Sequence, residues 1–426
     1  MTTSDRDRYN AQAGPTNGSA NAATPGTGYP YDEFEATFGE SLHSILDVER
    51  WSTGDDLGAL YEQITAEFSA AVEQELRLHA PIRQKVFEQI RQRQLVPGAG
   101  VFRATPDRIK RIHEGLLFAG AVEACDATRH VHETLPLAVA QIGVSLVAYN
   151  GSLGTWVQRL FRRDLREKLA DPVAEALALL ERRDERCRAR GATDQRELNE
   201  LTQRAIMTYA ERAILLKRSK APWLMGHGNP AAYELLSGAA GSLDLIIEAT
   251  RVLEALICRH KRFVFVPSDP TDRLLLTIGD ALRPLEYAIV YPLRDQIAPV
   301  LERTDYDVRT ASDTTVDGRR LTPREWIARF RDVVAGQVAV GVYRASEVAP
   351  ARLFYAHVDH AHEAALIALA DSVLQPHRGF PMLLDVAHHV CSATMGPDTL
   401  AGPLQLAYTR AGVPLRYLGE RATRGR

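Results

Sequence analysis

Three observations predict a mixed α/β fold, a sheet flanked by helices with a helical region ahead of it. Apolar residues recur at spacings of three and four between Leu57 and Leu116, the stripe of amphipathic helices. From about residue 120, short apolar and β-branched runs alternate with amphipathic stretches. The 426 residues are 45% hydrophobic and 25% charged, a globular profile that allows one large domain or two to three ordinary ones.

The start of the chain is rich in Gly, Ala, Thr, Ser, Asn and Pro and has too little apolar surface to offset ordering. Residues 1–40 are therefore expected as a disordered tail. Residues 41–115 are expected as an N-terminal helical region. Its first helix carries Leu57, Leu60, Ile64, Phe68, Val72 and Leu76 on one stripe, with Tyr61 beside it, and Pro81 interrupts it. Ile82, Val86 and Ile90 continue a second helix to Pro97. Thr105-Pro106-Asp107 reads as a helix start, with Thr as cap and Pro in the first turn.

Residues 116–426 carry the α/β pattern. GAVEAC (120–125) is a short strand, and residues 135–149 form a long one with Gly143 as a bulge. Helices are expected over 171–183 and 196–218, then a strand at 221–226, a helix at 242–260 and a strand at 262–267. Residues 338–344 and 351–358 read as a hairpin, followed by helices at 361–374, 383–392 and 399–411. Residues 305–320 read as an exposed polar loop with an Asp317-Gly318 turn. No internal repeat of 20–50 residues is present.

Several function classes lose their usual signature. Fifty-one Lys and Arg against 54 Asp and Glu give a net charge of −3, so nucleic-acid binding requires a local basic groove. Cys125, Cys187, Cys258 and Cys391 are scattered without a CxxC pair, which argues against a zinc or disulfide framework and for a reducing, cytoplasmic setting. No apolar run reaches the roughly 18 residues of a membrane span, and the N-terminus has no secretory pattern. No GxGxxG or GxxxxGK[ST] phosphate loop appears.

Five places carry chemistry-bearing residues. Asp126 leaves the GAVEAC strand, where it is either a metal ligand at a sheet edge or a turn Asp accepting backbone hydrogen bonds. Glu211 borders the apolar stripe of its helix and is either part of a site or a solvated partner of Lys217 or Arg212. His227, between two glycines after a strand, is either a metal ligand or a turn histidine. His357, Asp359, His360 and His362 form the densest His/Asp cluster, either a site or a strand end feeding a helix cap. Gly379-Phe380-Pro381 starts a helix that carries His388 and His389, which cannot both face one site. Basic residues gather at Arg159, Arg162 and Arg163 beside Trp156, and at Arg416, Arg421, Arg424 and Arg426; they suit single-stranded nucleic acid or a solvated face.

The order of these pieces over roughly residues 116–411 resembles the NurA nuclease family. Ala124-Cys125-Asp126-Ala127-Thr128-Arg129 is similar to the strand-ending Asp-Gly-Ser/Thr motif of that family, with Ala127 in place of Gly. Glu211 matches the family's helix Glu by position. His227 stands where the family has a second Asp. Gly379-Phe380-Pro381 and His388 match a Gly-Tyr-Pro turn and the His eight residues after its Tyr. The family's usual Lys is not evident near RFVFVP. The resemblance implies an RNase H-like mixed sheet flanked by helices and a metal-dependent DNA nuclease acting on ends. It implies Mn²⁺ or Mg²⁺ held by Asp126, Glu211, His227 and His388, and DNA contacts from Arg129, Arg159, Arg162, Arg163 and Phe380. It further implies a homodimer that docks on a hexameric HerA-type ATPase, in DNA repair or phage defence, with no membrane involvement. A catalytically degenerate subunit that binds DNA or the ATPase without cutting is the alternative, because His227 adds no negative charge. The N-terminal stripe is expected either to meet a partner or to pack on the chain's own core.

Overall fold

A computed structural model describes residues 31–51, 57–134, 137–162, 173, 177, 191–237, 243–269, 272–303, 314–316 and 319–416. Its contacts group into two units, residues 1–74 and residues 75–426. The first unit holds helices α1 (Tyr31–Phe38) and α2 (Leu42–Leu46) and most of α3 (Leu57–Pro81). Helix α1 lies inside the stretch expected as tail, with Phe34 and Phe38 paired one turn apart at 4.6 Å. Residues 1–30 lie outside the described residues. Along α3 the stripe of Leu57, Leu60, Ile64, Phe68 and Val72 is exposed.

In the second unit, Pro81 does not stop the helix. Helix α3 passes through a π-helical turn (Ile82–Val86) into α4 (Phe87–Arg93). Tertiary anchoring outweighs the lost N–H: Arg83 donates to Ala281 O at 2.9 Å and to both carboxylate oxygens of Glu286 at 2.7 and 3.2 Å. Phe87, Ile90 and Val96 are buried in the main core. Helix α5 (Pro106–Ile112) starts as its sequence predicts, with Thr105 accepting from the Arg108 N–H and Pro in the first turn.

Nine strands make one mixed sheet. They are β1 (Gly100–Arg103), β2 (Val122–Glu133), β3 (Ala138–Val147), β4 (Leu153–Arg162), β5 (Trp223–His227), β6 (Phe263–Val266), β7 (Glu286–Pro292), β10 (Val338–Arg344) and β11 (Arg352–His357), in the order β1-β7-β10-β11-β6-β5-β2-β3-β4. Strands β8 (Thr314–Val316) and β9 (Arg319–Leu321) pair separately, so the stretch expected as an open loop contains a small hairpin. Residues 317–318, the expected turn, lie outside the described residues. Strand β1, in the stretch assigned to the helical region, pairs with β7. The pairs β2–β5 and β5–β6 are parallel; all others in the sheet are antiparallel.

The remaining helices are α6 (Gly191–Arg218), α7 (Tyr233–Leu236), α8 (Leu243–Glu254), α9 (Arg273–Asp280), α10 (Leu293–Arg303), α11 (Pro323–Arg329), α12 (Ala361–Val373), α13 (Met382–Met395) and α14 (Asp398–Arg410). Alternation along β2 assigns its two faces. Cys125 Sγ meets the Glu211 carbonyl of α6, whereas Asp126 and its cross-strand neighbour Ser145 meet His388 and Ala387 O of α13. Helices thus cover both faces; β3 is buried at every position and mostly apolar, and β2 is buried from Val122 to Asp126.

Two local expectations change. The strand beginning at Val122 continues to Glu133, so Asp126 lies inside β2 rather than at its end; antiparallel pairing with β3 carries the strand on. Gly143 is no bulge. It pairs regularly with Thr128 and Val157, and a Cβ there would sit 2.7 Å from Met395 side-chain atoms, so the glycine admits α13.

Candidate active site

Parallel pairing between β2 and β5 ends at Cys125 and Gly226. The next residues are Asp126, within β2, and His227, the last residue of β5; they lie just past the end of the parallel pairing, on the side where open α/β sheets bind ligands. Asp126 is 4% exposed. Its Oδ2 lies 2.8 Å from His388 Nδ1, and its Oδ1 lies 3.3 Å from His227 Nδ1. One carboxylate is thereby bracketed by imidazoles from a strand end and a helix 262 residues away in the chain. Helix α13 places His388 half-exposed over β2, with its Nε2 3.5 Å from Ser392 Oγ.

Glu211 and Arg212 lie beneath this group. Of the two sequence alternatives for Glu211, the solvated pair does not form: Glu211 Oε2 is 3.0 Å from Arg212 Nη1, and the two residues are buried, at 4% and 3% exposed. Glu211 Oε1 accepts the His227 N–H at 3.3 Å. Arg212 donates to the carbonyls of His227 at 3.1 Å, Asn229 at 2.8 Å, Pro230 at 3.4 Å and Thr208 at 3.4 Å. Gly228, at φ +80°, supplies the left-handed residue that turns the chain around this guanidinium.

The charges explain two shifts. Burial pushes the His227 pKa down, but its hydrogen bond to Asp126 and the charges of Glu211 and Asp126 outweigh that and hold it above the ordinary value. Burial and the Asp126 charge push the Glu211 carboxyl up, only partly offset by Arg212 and His227. The neighbouring Cys391 thiol is pushed up to about 12 by burial and by Asp126, which favours the protonated thiol.

A cavity of about 440 Å³ opens on Asp126, His227 and His388. Its other walls are Ser268, Asp269, Arg352, Arg378, Phe380, Leu384 and Asp385. Phe380 is 6% exposed, with its ring edge-on to His227 at 6.1 Å and the Arg352 guanidinium 5.7 Å above its centre. The ring orients its neighbours and offers no open stacking face. Arg378 pairs with Asp385, which also accepts from Gln375 at 2.7 Å. A second cavity of about 420 Å³ lies beyond His227 and is lined by Glu211, Arg212, Asp272 and Tyr355 among others.

The donor types, one carboxylate and two imidazoles with a second carboxylate behind, suit a divalent cation. As arranged, both imidazoles face Asp126 oxygens, and Glu211 is held by Arg212 and a main-chain N–H. Among the described residues, no three His, Cys, Asp or Glu side chains converge as a ligand shell.

The structure brings together Asp126, Glu211, His227, His388 and Phe380. It does not bring Arg129 or Arg159 to them. Arg129 projects on the α6 face and pairs with Glu200 at 3.0 Å and Gln203 at 3.0 Å; Arg159 binds Gln141 at 2.7 Å two strands away from β2. The Arg162 side chain, Arg163, Arg421, Arg424 and Arg426 lie outside the described residues. The His357–His362 cluster is structural: His357 is buried and accepts the Asp359 N–H at 3.1 Å, Asp359 pairs with Lys261, and His362 meets Tyr287. Arg212 and Arg352 were not singled out as site residues from the sequence. Arg212 had a signal, a cation adjoining a Glu at the edge of an apolar stripe; Arg352 had none.

No helix among the described residues is long and apolar enough to cross a membrane. No protein-family model and no curated protein matches the chain. Among solved structures the chain is similar to the NurA nuclease from Sulfolobus solfataricus, at 9% identity over 82% of this chain and 98% of that one, with a TM-score of 0.41. It is similar to a NurA with manganese at 8% identity over 71% and 95%, with a TM-score of 0.37, and to a NurA bound to dAMP and manganese at 10% identity over 84% and 98%, with a TM-score of 0.35.

Proposed function

We propose that this chain is a metal-dependent DNA nuclease that hydrolyses phosphodiester bonds at DNA ends. One observation carries the reading: three separate chain segments bring Asp126, His227 and His388 to the wall of one cavity where the parallel pairing of β2 and β5 ends, and a fourth sets Glu211 behind them. Asp126, His227 and His388 would hold Mn²⁺ or Mg²⁺, with Glu211 behind them. A divalent ion held there would supply an acidified water and charge stabilisation for a phosphoryl oxygen. Asp126 holds both imidazoles in orientation. In this reading the protein acts as a homodimer with a HerA-type hexameric ATPase in DNA repair or phage defence. The lack of a phosphate loop in this chain fits that division of labour.

A second reading, a subunit that binds DNA or the ATPase without cutting, is favoured by the pairing of Glu211 with Arg212, which neutralises the deeper carboxylate. Incubating the purified protein with linear single- and double-stranded DNA and Mn²⁺ separates the two. The nuclease reading expects cleavage that D126N abolishes while its thermal midpoint stays near that of the parent. Binding without cleavage, with no rise of the midpoint on adding Mn²⁺, establishes the second. Under the nuclease reading H227D tightens Mn²⁺ binding, because a carboxylate replaces a neutral ligand.

A further inference from the structure

We propose that Arg352 is the phosphate-binding residue of the cavity beside Asp126, seating one phosphodiester of a single strand against the site. This rests on the reading of that cavity as a nucleic-acid site and assigns its anion-binding group. Every other strongly charged group on the wall has an internal partner or stands at the exposed rim. Asp126 is bracketed by His227 and His388, and Arg378 pairs with Asp385. Asp269 is exposed and makes no ion pair with Arg352.

Arg352 differs from all of these. Among the described residues it has no carboxylate partner. Its guanidinium is held by two main-chain carbonyls, Ser268 O at 3.0 Å and Arg378 O at 2.8 Å. Carbonyls fix its direction without cancelling its charge. Its Nε–H is buried and has no hydrogen-bond partner, so part of the guanidinium's donor capacity is unused within the protein. The Phe380 ring supports it from beneath, and the same ring meets His227. A shared aromatic support therefore couples the cation to the candidate catalytic group.

The chemistry selects the ligand. A planar, fixed guanidinium with free N–H donors recognises phosphate oxygens by a forked pair of hydrogen bonds. Asp126, Asp269 and Asp385 repel any anion that enters, so a ligand needs the forked contact to Arg352 to offset them. At about 440 Å³ the cavity has the size that encloses one small ligand and is far too small for a duplex. The occupant is a strand end.

Binding of fluorescein-labelled (dT)4 to the full chain in EDTA tests this without cleavage. Fluorescence anisotropy is read over a series of KCl concentrations for the parent, R352Q, R352K and D126N. R352Q is expected to weaken binding about tenfold and to reduce the slope of log K against log salt by about one. R352K keeps the charge but lacks the fork, so it is expected to lose about threefold; it also carries the test if R352Q does not fold. D126N is expected to bind more tightly than the parent, because one negative charge that repels the phosphodiester is removed from the wall. Equal affinity and equal salt slope in R352Q and R352K overturn the assignment, as does failure of the parent to bind. Weakened binding by R352Q in a protein that never cleaves DNA supports the phosphate site while removing the nuclease reading.

Discussion

Asp371 offers a quantitative test of how the helix carrying His388 is held. Its side chain is fully buried on α12, accepting the Tyr149 hydroxyl at 2.6 Å and the Leu383 N–H at 2.8 Å. The second bond caps the first turn of α13. Burial raises the carboxyl pKa, and the nearby Asp385 adds to it; the Tyr149 and Leu383 hydrogen bonds offset this only in part, leaving a value of about 7 against 3.8. Because the folded value is the higher one, the associated stability is fully present below the unfolded pKa. It is lost as pH rises through the folded pKa. Over the whole window the shift corresponds to about 4 kcal/mol at 1.36 kcal/mol per unit. Asp371→Asn replaces the neutral acid by a neutral amide that still accepts from Leu383, and it removes the titration. Its stability relative to the parent should rise by about 3 kcal/mol between about pH 5 and about pH 8. Urea midpoints for both proteins at the two pH values measure this. A constant offset between the two proteins would show that Asp371 is already ionised in the folded chain at about pH 5, so that burial does not raise its pKa.

Three further outcomes are expected. Arg212→Met should destabilise the protein by about 3–5 kcal/mol, since it leaves a buried Glu211 and four carbonyls without their donor; an unchanged urea midpoint contradicts the clamp. Asp126→Asn should lower the His227 pKa, because burial then acts with less opposing charge; an NMR titration that moves upward is the contrary result. Removing residues 1–74 should leave residues 75–426 soluble and cooperative in a thermal melt, whereas removing residues 1–97 strips Phe87, Ile90 and Val96 from the core and should lower the midpoint sharply or cause aggregation. Equal melts for the two truncations would refute that boundary.

The sequence by itself determined the elements whose signal is local. Apolar alternation and the 3.6-residue period located β5, β6, the β10–β11 hairpin and helices α12 to α14, and Thr105-Pro106 set the start of α5. The order of its motifs also pointed to Asp126, Glu211, His227 and His388. Tertiary structure decided what depends on residues far apart in the chain. The continuation of β2 past Cys125 comes from pairing with β3, and the passage of α3 through Pro81 from Arg83 binding Glu286 some 200 residues away. The same holds for charge. Glu211 and Arg212 adjoin in sequence in a way that reads as a solvated pair. Only the return of the His227–Pro230 turn across them buries both and gives Arg212 its carbonyl acceptors. Arg352 carries no local signal, because its role depends on the carbonyls of Ser268 and Arg378 and on the Phe380 ring, which folding brings beside it. Periodicity records which side of an element is buried; what meets it there is set by contacts that no short window of sequence contains.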